Sequence, residues 1–405
     1  MFSRFPWRFV LVGFFLLAVS IIVPLEFVGN GGSSAAVQTQ VPGTAPGVST
    51  AASPTTASLP ATATAKKKTA AATSAAAAKG TAVPASTGSA AVPGLWGFAA
   101  PELLGEPASV QVGELEGMKA MGVTSVRLDA DWNEGQPTAS SYYWLPLDTA
   151  MASIKKVGLT ADLIIDGCPA WAAVPAAAGD QFAQPASAAQ FGDWAAAVAK
   201  RYDGDGADYF EIWNEENISE FWQPAPDPAA YTADLKAAYS AIKAVDPSGI
   251  VITGGLAGGG NSATVVDPRD FLQDIYTDGG GGYFDAVADH PYTYPETPEN
   301  DPTSAWAEMS ETSPSLRSIM TANGDSAKKI WITEYGVPTP TDSSAEAEQT
   351  TELTEAISLV KQTSWIGSFY IYTWADTSAD DNFGLLTTNF VQKPAFDAVA
   401  AALRS

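Results

Sequence analysis

Hydrophobic residues from position 94 onward follow two alternating patterns. Short runs rich in β-branched and aromatic residues, such as "SVRLDADW" and "KIWITEYG", predict strands, whereas longer segments with apolar residues three or four positions apart predict helices. The predicted strands cover residues 95–100, 125–132, 161–166, 208–215, 249–255, 283–292, 329–336 and 368–374. The predicted helices lie near residues 111–121, 147–157, 188–202, 228–245, 270–276, 304–323, 345–362 and 393–403. Eight strand–helix units in about 310 residues predict an α/β fold, the (β/α)8 TIM barrel.

The alternating pattern leaves one alternative, an open doubly wound sheet that binds a nucleotide. That fold needs a glycine-rich turn directly after its first strand, and "GFAAPELLGE" at that place contains no G-x-G-x-x-G. The "GGLAGGG" at 254–260 occurs in mid-chain and lacks the Lys-Ser/Thr of a phosphate-binding loop, so it predicts a flexible loop. The barrel is therefore the favoured fold.

The first residues of the chain have the pattern of an export signal. Arg4 and Arg8 precede an apolar run at 9–23, which is shorter than a membrane span of about 20 residues and suits the apolar region of a signal peptide. No clean small-residue cleavage site follows it directly. Residues 1–28 are therefore either a signal peptide or a membrane anchor through residues 9–25, and both alternatives place the rest of the chain outside the cytoplasm.

Residues 29–93 have a composition that cannot form a core. They are mostly Ala, Ser, Thr, Pro, Gly and Val, with no aromatic and no acidic residue. Such a segment buries too little apolar surface to offset its ordering entropy, so a disordered linker is predicted. Residues 94–405 then form the folded (β/α)8 domain, either secreted or held at the outer face of the cytoplasmic membrane.

Charge and residue counts exclude several classes of function. The formal net charge of −24 repels phosphate backbones, so we expect no nucleic-acid partner. The single cysteine, Cys168, excludes an intramolecular disulfide, and the single histidine, His290, excludes a histidine-rich metal site. Cys168 is either a nucleophile or a small buried apolar residue, and the second interpretation is favoured.

Two glutamates end predicted strands on opposite sides of the barrel. Glu215 ends the fourth strand and Glu334 the seventh, at the carboxyl end where TIM barrels hold their active sites. Cleavage of a glycosidic bond needs one carboxylic acid and one carboxylate on opposite sides of the anomeric carbon. Aromatic residues that could stack on sugar rings near this mouth are Trp171, Trp213, Trp222, Tyr292, Tyr294 and Trp374. The pattern indicates a glycosidase, for which no metal or cofactor is needed.

Four motifs resemble those of a known enzyme clan. "FEIWNE", "DHPYTYP", "KIWITEYG" and "FYIYTW", in this order, resemble clan A glycoside hydrolases, most closely family 39-type enzymes and next the family 5 cellulase-like enzymes. The similarity covers residues 94–405. It implies a retaining mechanism in which Glu215 is the acid/base and Glu334 the nucleophile.

The resemblance also implies roles for other residues at the mouth. Asn214 matches the partner of the sugar 2-hydroxyl, and Tyr292 the tyrosine that donates to the nucleophile. His290 matches the histidine that lines the site, and Trp374 matches the sugar platform of strand eight. Arg127 matches the arginine that holds the carboxylates ionised and oriented.

One position departs from the clan pattern. The pattern usually runs Asn-Glu-Pro, whereas this chain has Asn214-Glu215-Glu216. A solvated loop carboxylate is the favoured interpretation of Glu216, with subsite chemistry or an effect on the pKa of its neighbour as alternatives. Glu211 has the strand parity of Glu215 and is expected inside the barrel, paired with Arg127.

These observations predict an exported, monomeric, retaining β-glycosidase whose partner is a polysaccharide or oligosaccharide. The alternative is a non-catalytic carbohydrate-binding barrel on a surface stalk. Loss of either glutamate would favour that alternative, and both are present. The sequence specifies neither the sugar nor endo or exo cleavage.

Overall fold

Eight parallel strands close into a barrel in chain order, and β8 returns to pair with β1. This computed structural model describes residues 94–340, 343–377 and 382–405. The strands are β1 (Trp96–Ala99), β2 (Ser125–Asp129), β3 (Thr160–Ile165), β4 (Ala207–Asn214), β5 (Ile250–Ala257), β6 (Ala286–His290), β7 (Lys329–Tyr335) and β8 (Ile366–Tyr372). The predicted TIM barrel is confirmed.

Helices follow the strands and cover the outside of the barrel. They are α1 (Ala108–Met121), α2 (Trp132–Gly135), α3 (Leu145–Val157), α4 (Ala188–Tyr202), α5 (Pro228–Val245), α6 (Pro268–Thr277), α7 (Ala305–Ser310), α8 (Leu316–Ala322), α9 (Ser343–Gln362) and α10 (Ala395–Arg404). A 3-10 helix spans Pro101–Gly105. Two of the long helices, α4 and α5, have the predicted bounds.

Local sequence signals explain where the helices begin and end. The Asp227 carboxylate accepts a hydrogen bond of 3.0 Å from the backbone N–H of Ala230 and so caps α5. Gly122 and Gly158 end α1 and α3 with positive φ values of 107° and 76°, which cost glycine little. The single helix predicted at 304–323 is wrong, because Pro314 has no N–H to donate and divides the segment into α7 and α8.

The barrel interior changes from apolar to polar along its axis. Its apolar lower part includes the buried side chains of Tyr209, Ile252, Trp331 and Tyr370. The layer above it carries Arg127 and several buried polar side chains. An interior filled in this way is a packed core, and its upper end is the floor of a site.

Some predictions concern parts of the chain outside the described residues. The signal or anchor segment 1–28 and the linker 29–93 lie there, so they stay predictions. None of the helices between residues 94 and 405 that the structure describes is both long and apolar enough to cross a membrane. Cys168 is buried, and burial raises its pKa to about 12, which agrees with a packing residue rather than a nucleophile.

Candidate active site

One buried guanidinium connects three strands beneath the barrel mouth. Arg127 of β2 donates from Nε to Glu211 Oε2 at 2.6 Å and from Nη2 to Glu211 Oε1 at 3.2 Å. Its Nη1 donates to Glu334 Oε1 at 2.6 Å, and its Nη2 to Asn214 Oδ1 at 2.7 Å. The predicted pairing of Arg127 with Glu211 is therefore confirmed. Burial of such charges is tolerated because each is paired and hydrogen-bonded.

Glu211 supports this arrangement without reaching the mouth. Its side chain is fully buried, and Oε1 also accepts hydrogen bonds from the backbone N–H of Gly255 at 2.9 Å and from Thr333 Oγ1 at 3.0 Å. All of these donors belong to the protein, so no substrate atom is needed to satisfy the carboxylate. Glu211 is a structural member of the site.

Glu215 and Glu334 meet at a shared histidine. His290 Nδ1 lies 2.9 Å from Glu215 Oε1 and 3.8 Å from Glu334 Oε2. The nitrogen and one oxygen of each glutamate all lie within 4.8 Å of one another. The Nε2 atom of His290 lies 3.1 Å from Thr333 Oγ1, which fixes the ring plane. The two predicted catalytic carboxylates are thus adjacent, and both are partly exposed to solvent.

The surroundings of Glu334 favour its ionised form. Burial alone would raise the pKa of Glu334, but the charges of His290 and Arg127 and hydrogen bonds from Tyr292 and Arg127 bring it below its usual value. Tyr292 donates from its hydroxyl to Glu334 Oε2 at 2.9 Å. An ionised carboxylate held by two hydrogen-bond donors has the properties of a nucleophile.

The same charges act on His290 in the opposite direction. Burial lowers the pKa of His290, but the negative charge of Glu334 and the hydrogen bond to Glu215 outweigh it and raise the pKa above its ordinary value. The raised pKa favours the protonated ring, whose Nδ1 lies close to both carboxylates.

The backbone at the end of β4 is unusual. Trp213 and Glu215 have φ values of 73° and 50°, in the left-handed region that bulky residues rarely adopt. In a regular strand, Asn214 and Glu215 would point to opposite faces. Here Asn214 contacts Arg127 and Glu215 contacts His290, so the distortion brings two successive side chains to one site.

The donor atoms of Glu215, His290 and Glu334 are also close enough to hold a metal ion. However, Glu334 is engaged at both oxygens, by Arg127 and Tyr292, and Glu215 by His290. A cation would compete with the buried guanidinium for Glu334. The set therefore fits proton transfer and nucleophilic attack better than metal binding.

Trp374 does not reach the mouth, so its prediction as a sugar platform is wrong. Its ring is 4% exposed and packs against Phe98 and Phe396, with centroids 5.3 and 5.9 Å away. A Cβ added to Gly117 of α1 would lie 2.8 Å from this ring, so Trp374 faces the helical layer. The physical reason is that β8 ends at Tyr372, and the alternation of faces does not continue beyond it.

Tyr372 is the aromatic residue of β8 that sequence reasoning missed. Its ring centroid is 5.4 Å from that of Phe383, which in turn lies 6.1 Å from Tyr292. Burial, the charge of Glu334 and the nearby Tyr372 all raise the pKa of Tyr292, in that order of size. The two tyrosines are therefore neighbours. Its strand parity with the interior residue Tyr370 was the available signal.

Two of the other tryptophans predicted near the mouth are core residues. Trp213 and Trp222 are fully buried and pack with ring centroids 4.8 Å apart, so they offer no face to a sugar. Trp171 is half-buried, and its Nε1 donates to the backbone oxygen of Gln136 at 3.0 Å. Its edge-to-face partner is Trp132, at 5.4 Å, which places it among the loops after β2 and β3 rather than beside the glutamates.

Glu216 is not a solvated loop residue. Its side chain is fully buried, and a Cβ on Gly254 would lie 1.9 Å from its Oε2. Burial raises the pKa of Glu216 well above its usual range. The glycine leaves the space that this side chain fills, and the favoured interpretation from the sequence is therefore wrong.

A comparison with family models finds one match along most of the barrel. Residues 108–374 match the model described as Cellulase (glycosyl hydrolase family 5). A comparison with curated protein sequences finds no match. The resemblance inferred from the motifs is thus confirmed at the level of the clan, and the family whose model matches is the one placed second.

Solved structures with the same fold include members of both families. A family 39 glycoside hydrolase from Bacteroides cellulosilyticus WH2 has a TM-score of 0.61 and 22% identity, covering 77% of this chain and 63% of that chain. A monomeric beta-xylosidase from Caulobacter crescentus CB15 has a TM-score of 0.58 and 19% identity, covering 76% and 67%. GH5_18 from Streptomyces cattleya, in complex with GlcNAc, has a TM-score of 0.56 and 17% identity, covering 78% and 80%. The chain thus spans less than two thirds of the first of these proteins, and at such identities the likeness shows the fold alone.

Proposed function

Because the chain belongs to glycosyl hydrolase family 5, the cellulase family, and is an O-glycosyl hydrolase, we propose that it cleaves a β-glycosidic bond with retention of configuration. The observation that carries the proposal is the spacing of the two catalytic carboxylates, whose nearest oxygens lie within 4.8 Å of each other. Retaining enzymes hold their carboxyl groups about 5–5.5 Å apart, whereas inverting enzymes need roughly 6.5–9.5 Å to admit a water molecule.

In the first step, Glu334 attacks the anomeric carbon as Glu215 protonates the departing glycosidic oxygen. The C–O bond to the leaving group breaks with its electron pair, and an ester between the sugar and Glu334 forms. Arg127 and Tyr292 hold the attacking carboxylate in place through hydrogen bonds of 2.6 and 2.9 Å. Asn214 is fixed by Arg127 through its side-chain oxygen, so its NH₂ group is left to donate to a sugar hydroxyl.

In the second step, Glu215 acts as a base. It takes a proton from a water molecule, whose oxygen attacks the anomeric carbon and displaces Glu334 with a second inversion. His290 at 2.9 Å stabilises the ionised form of Glu215 between the two steps by donating from Nδ1. The double inversion returns the product with its original configuration.

The substrate and location are proposed with the mechanism. We infer a polysaccharide or oligosaccharide substrate, action outside the cytoplasm and a monomeric enzyme. The apolar run at 9–23 and the linker composition of residues 29–93 support export. A strong negative charge supports a partner other than nucleic acid.

A screen of nitrophenyl glycosides and polysaccharides, followed by NMR of the first anomer released, tests the proposal. A 2-fluoro glycoside inactivator should label Glu334, because the ester formed in the first step then hydrolyses slowly. An inverted first product, or a label on another residue, would overturn the mechanism. Binding without any turnover would favour the non-catalytic carbohydrate-binding barrel, which the intact glutamate pair disfavours.

A further inference from the structure

The acid/base Glu215 lies on backbone that side chains of its size rarely adopt. Trp213 and Glu215 both have positive φ values, of 73° and 50°. Such a conformation persists only where the surrounding structure holds it. The clan pattern places a proline directly after the glutamate, where the ring fixes the φ angle of its own residue. This chain has Glu216 at that position, so contacts of another kind hold the end of β4.

A tyrosine hydroxyl joins the end of β4 to β5. Tyr231 of α5 is fully buried, and its hydroxyl donates to the backbone oxygen of Ile212 at 3.0 Å. The same hydroxyl accepts a hydrogen bond of 2.9 Å from the backbone N–H of Gly254. The backbone N–H of Glu215 donates to the carbonyl of Gly255 at 3.0 Å. The two strands are thus joined at two points close to the acid/base.

The carboxyl of Glu216 lies beside this hydroxyl. Its side chain is fully buried, and its Oε2 occupies the space in which a Cβ on Gly254 would lie, only 1.9 Å away. Burial raises the pKa of Tyr231, and the neighbouring Glu216 raises it further, so the two side chains are in reach of each other. Within the described residues, neither oxygen of Glu216 accepts a hydrogen bond.

The hydrogen-bonding capacity of Tyr231 decides which form of Glu216 fits. A tyrosine hydroxyl has one hydrogen and two lone pairs. The hydrogen goes to Ile212 and one lone pair accepts from Gly254, so a single lone pair is left. An ionised Glu216 can only accept, and it would be a buried charge without a donor. A protonated Glu216 can donate to the free lone pair, and the raised pKa of its carboxyl agrees with this form.

We propose that Glu216 is a positioning residue for the acid/base, with a protonated carboxyl that donates to Tyr231 and anchors the chain directly after Glu215. The inference rests on the proposed glycosidase function. Because Glu215 and Glu216 are successive, displacement of the buried anchor moves the backbone that directs Glu215 towards the leaving oxygen. The nucleophile Glu334 stands on β7 and keeps its own contacts. Loss of the anchor therefore impairs proton donation more than nucleophilic attack.

The test uses two substrates that differ only in their leaving group. They are the phenyl and 2,4-dinitrophenyl glycosides of the sugar that the wild-type chain hydrolyses best, and kcat/KM reports the steps up to formation of the ester. Dinitrophenolate departs without protonation, so only the phenyl glycoside depends on the position of the acid. Glu216→Ala should lower kcat/KM for the phenyl glycoside at least about tenfold and for the dinitrophenyl glycoside less than about threefold. General damage to the fold would lower both alike.

Three further variants separate the anchor from mere packing. Glu216→Gln keeps the shape and donates an N–H, so kcat/KM should stay within about threefold of wild type on both substrates. Tyr231→Phe keeps the ring but removes the acceptor, and it should reproduce the selective loss even if Glu216→Ala does not fold. Glu114→Ala is the control, since Glu114 of α1 is also buried and its carboxyl oxygens also lack partners in the described part of the chain. It should leave the ratio of the two rates unchanged, and thermal melts verify folding.

Infrared difference spectra test the protonated form directly. At neutral pH, the spectrum of the wild-type chain minus that of Glu216→Gln should contain a carboxylic-acid carbonyl band. Absence of that band would overturn the proposal. An equal loss on both substrates in Tyr231→Phe, no loss in Glu216→Ala, or a loss in Glu216→Gln as large as that in Glu216→Ala would do so as well.

Failure of the glycosidase function looks different. If the wild-type chain hydrolyses no glycoside at all, the proposed reaction fails, and the role of Glu216 towards Glu215 fails with it. If the wild-type chain is active but the variants show no dependence on the leaving group, the reaction stands and only the positioning role is refuted.

Discussion

At the scale of single residues, Glu215 and Glu334 differ in what surrounds them. Glu334 accepts hydrogen bonds on both oxygens, from Arg127 and Tyr292, whereas Glu215 contacts the titratable ring of His290. The first environment favours the ionised carboxylate that a nucleophile needs, and the second places a titratable ring beside the acid/base. The sequence could assign these roles through the clan motifs. It could not show that Glu216 is buried beside Gly254, because burial depends on a glycine 38 positions away in the chain.

Replacing Glu215 by Gln should impair substrates with poor leaving groups by several orders of magnitude and activated aryl glycosides far less. A good leaving group departs without protonation, so only the second step suffers. Azide should restore turnover of the activated substrates, which steady-state rates with and without azide would reveal. Glu216→Gln is the matched control, because the side chain of Glu216 is fully buried beside Gly254 and is not exposed at the mouth. If it showed azide rescue and Glu215→Gln did not, the assignment within "NEEN" would be reversed.

Removing the Tyr292 hydroxyl should move the acidic limb of the pH–rate profile upward. Glu334 must be ionised to attack, so activity falls as the pH drops through its lowered pKa. Tyr292→Phe deletes one of the hydrogen bonds that lower this pKa, while His290 and Arg127 continue to lower it. We expect the acidic limb of kcat/KM to shift toward higher pH and kcat at the optimum to fall about tenfold or more. An unchanged acidic limb would show that another group controls it.

At the scale of secondary structure, predictions succeeded where local signals agreed and failed where tertiary context decided. The bounds of α4 and α5 follow from Ser187 and Asp227 at their N-caps and from apolar periodicity. The prediction that Trp374 faces the mouth was wrong because the sequence does not show that β8 ends at Tyr372. The left-handed backbone at Trp213 and Glu215 leaves no sequence signal either, since neither residue favours it.

Deleting the cap of α5 should destabilise the barrel measurably. Asp227→Ala removes the acceptor for the Ala230 N–H and should cost about 0.5–2 kcal/mol in the free energy of unfolding. Denaturant titration would measure it. Asp227→Asn keeps an acceptor oxygen and should cost much less. A loss of equal size in both variants would indicate that charge rather than capping matters.

At the scale of the whole molecule, the barrel and the preceding segments have different chemistry. Residues 29–93 have no acidic residue, although the chain carries 45 acidic residues in all. Within the described residues, Leu95 joins the start of the barrel to β8: its N–H donates to Ser368 Oγ at 3.2 Å, and its carbonyl accepts from Phe369. The contacts that close the barrel thus include the residue directly before β1.

A shortened chain that begins at Val92 should fold and retain full turnover. It keeps the β1–β8 pairing that closes the barrel and loses only the predicted signal or anchor segment and nearly all of the predicted linker. Expression, a thermal melt and kcat/KM relative to the full chain would test this. A chain that begins at Phe98 is the control and should be unstable, because it lacks half of β1. An inactive or insoluble chain from Val92 would contradict the domain boundary.

The position of His290 between both carboxylates implies that the imidazole keeps an anionic neighbour throughout the catalytic cycle. The negative charge of Glu334 helps to raise the pKa of His290, and this charge disappears when Glu334 becomes an ester. In the same step Glu215 gives its proton to the leaving group and becomes an anion 2.9 Å from the ring. One negative charge therefore passes from one side of the ring to the other, and the ring can stay in place as the counter-ion of whichever carboxylate is ionised. The electrostatic cost of moving charge across the site is thereby kept small, because no solvent has to rearrange between the two steps.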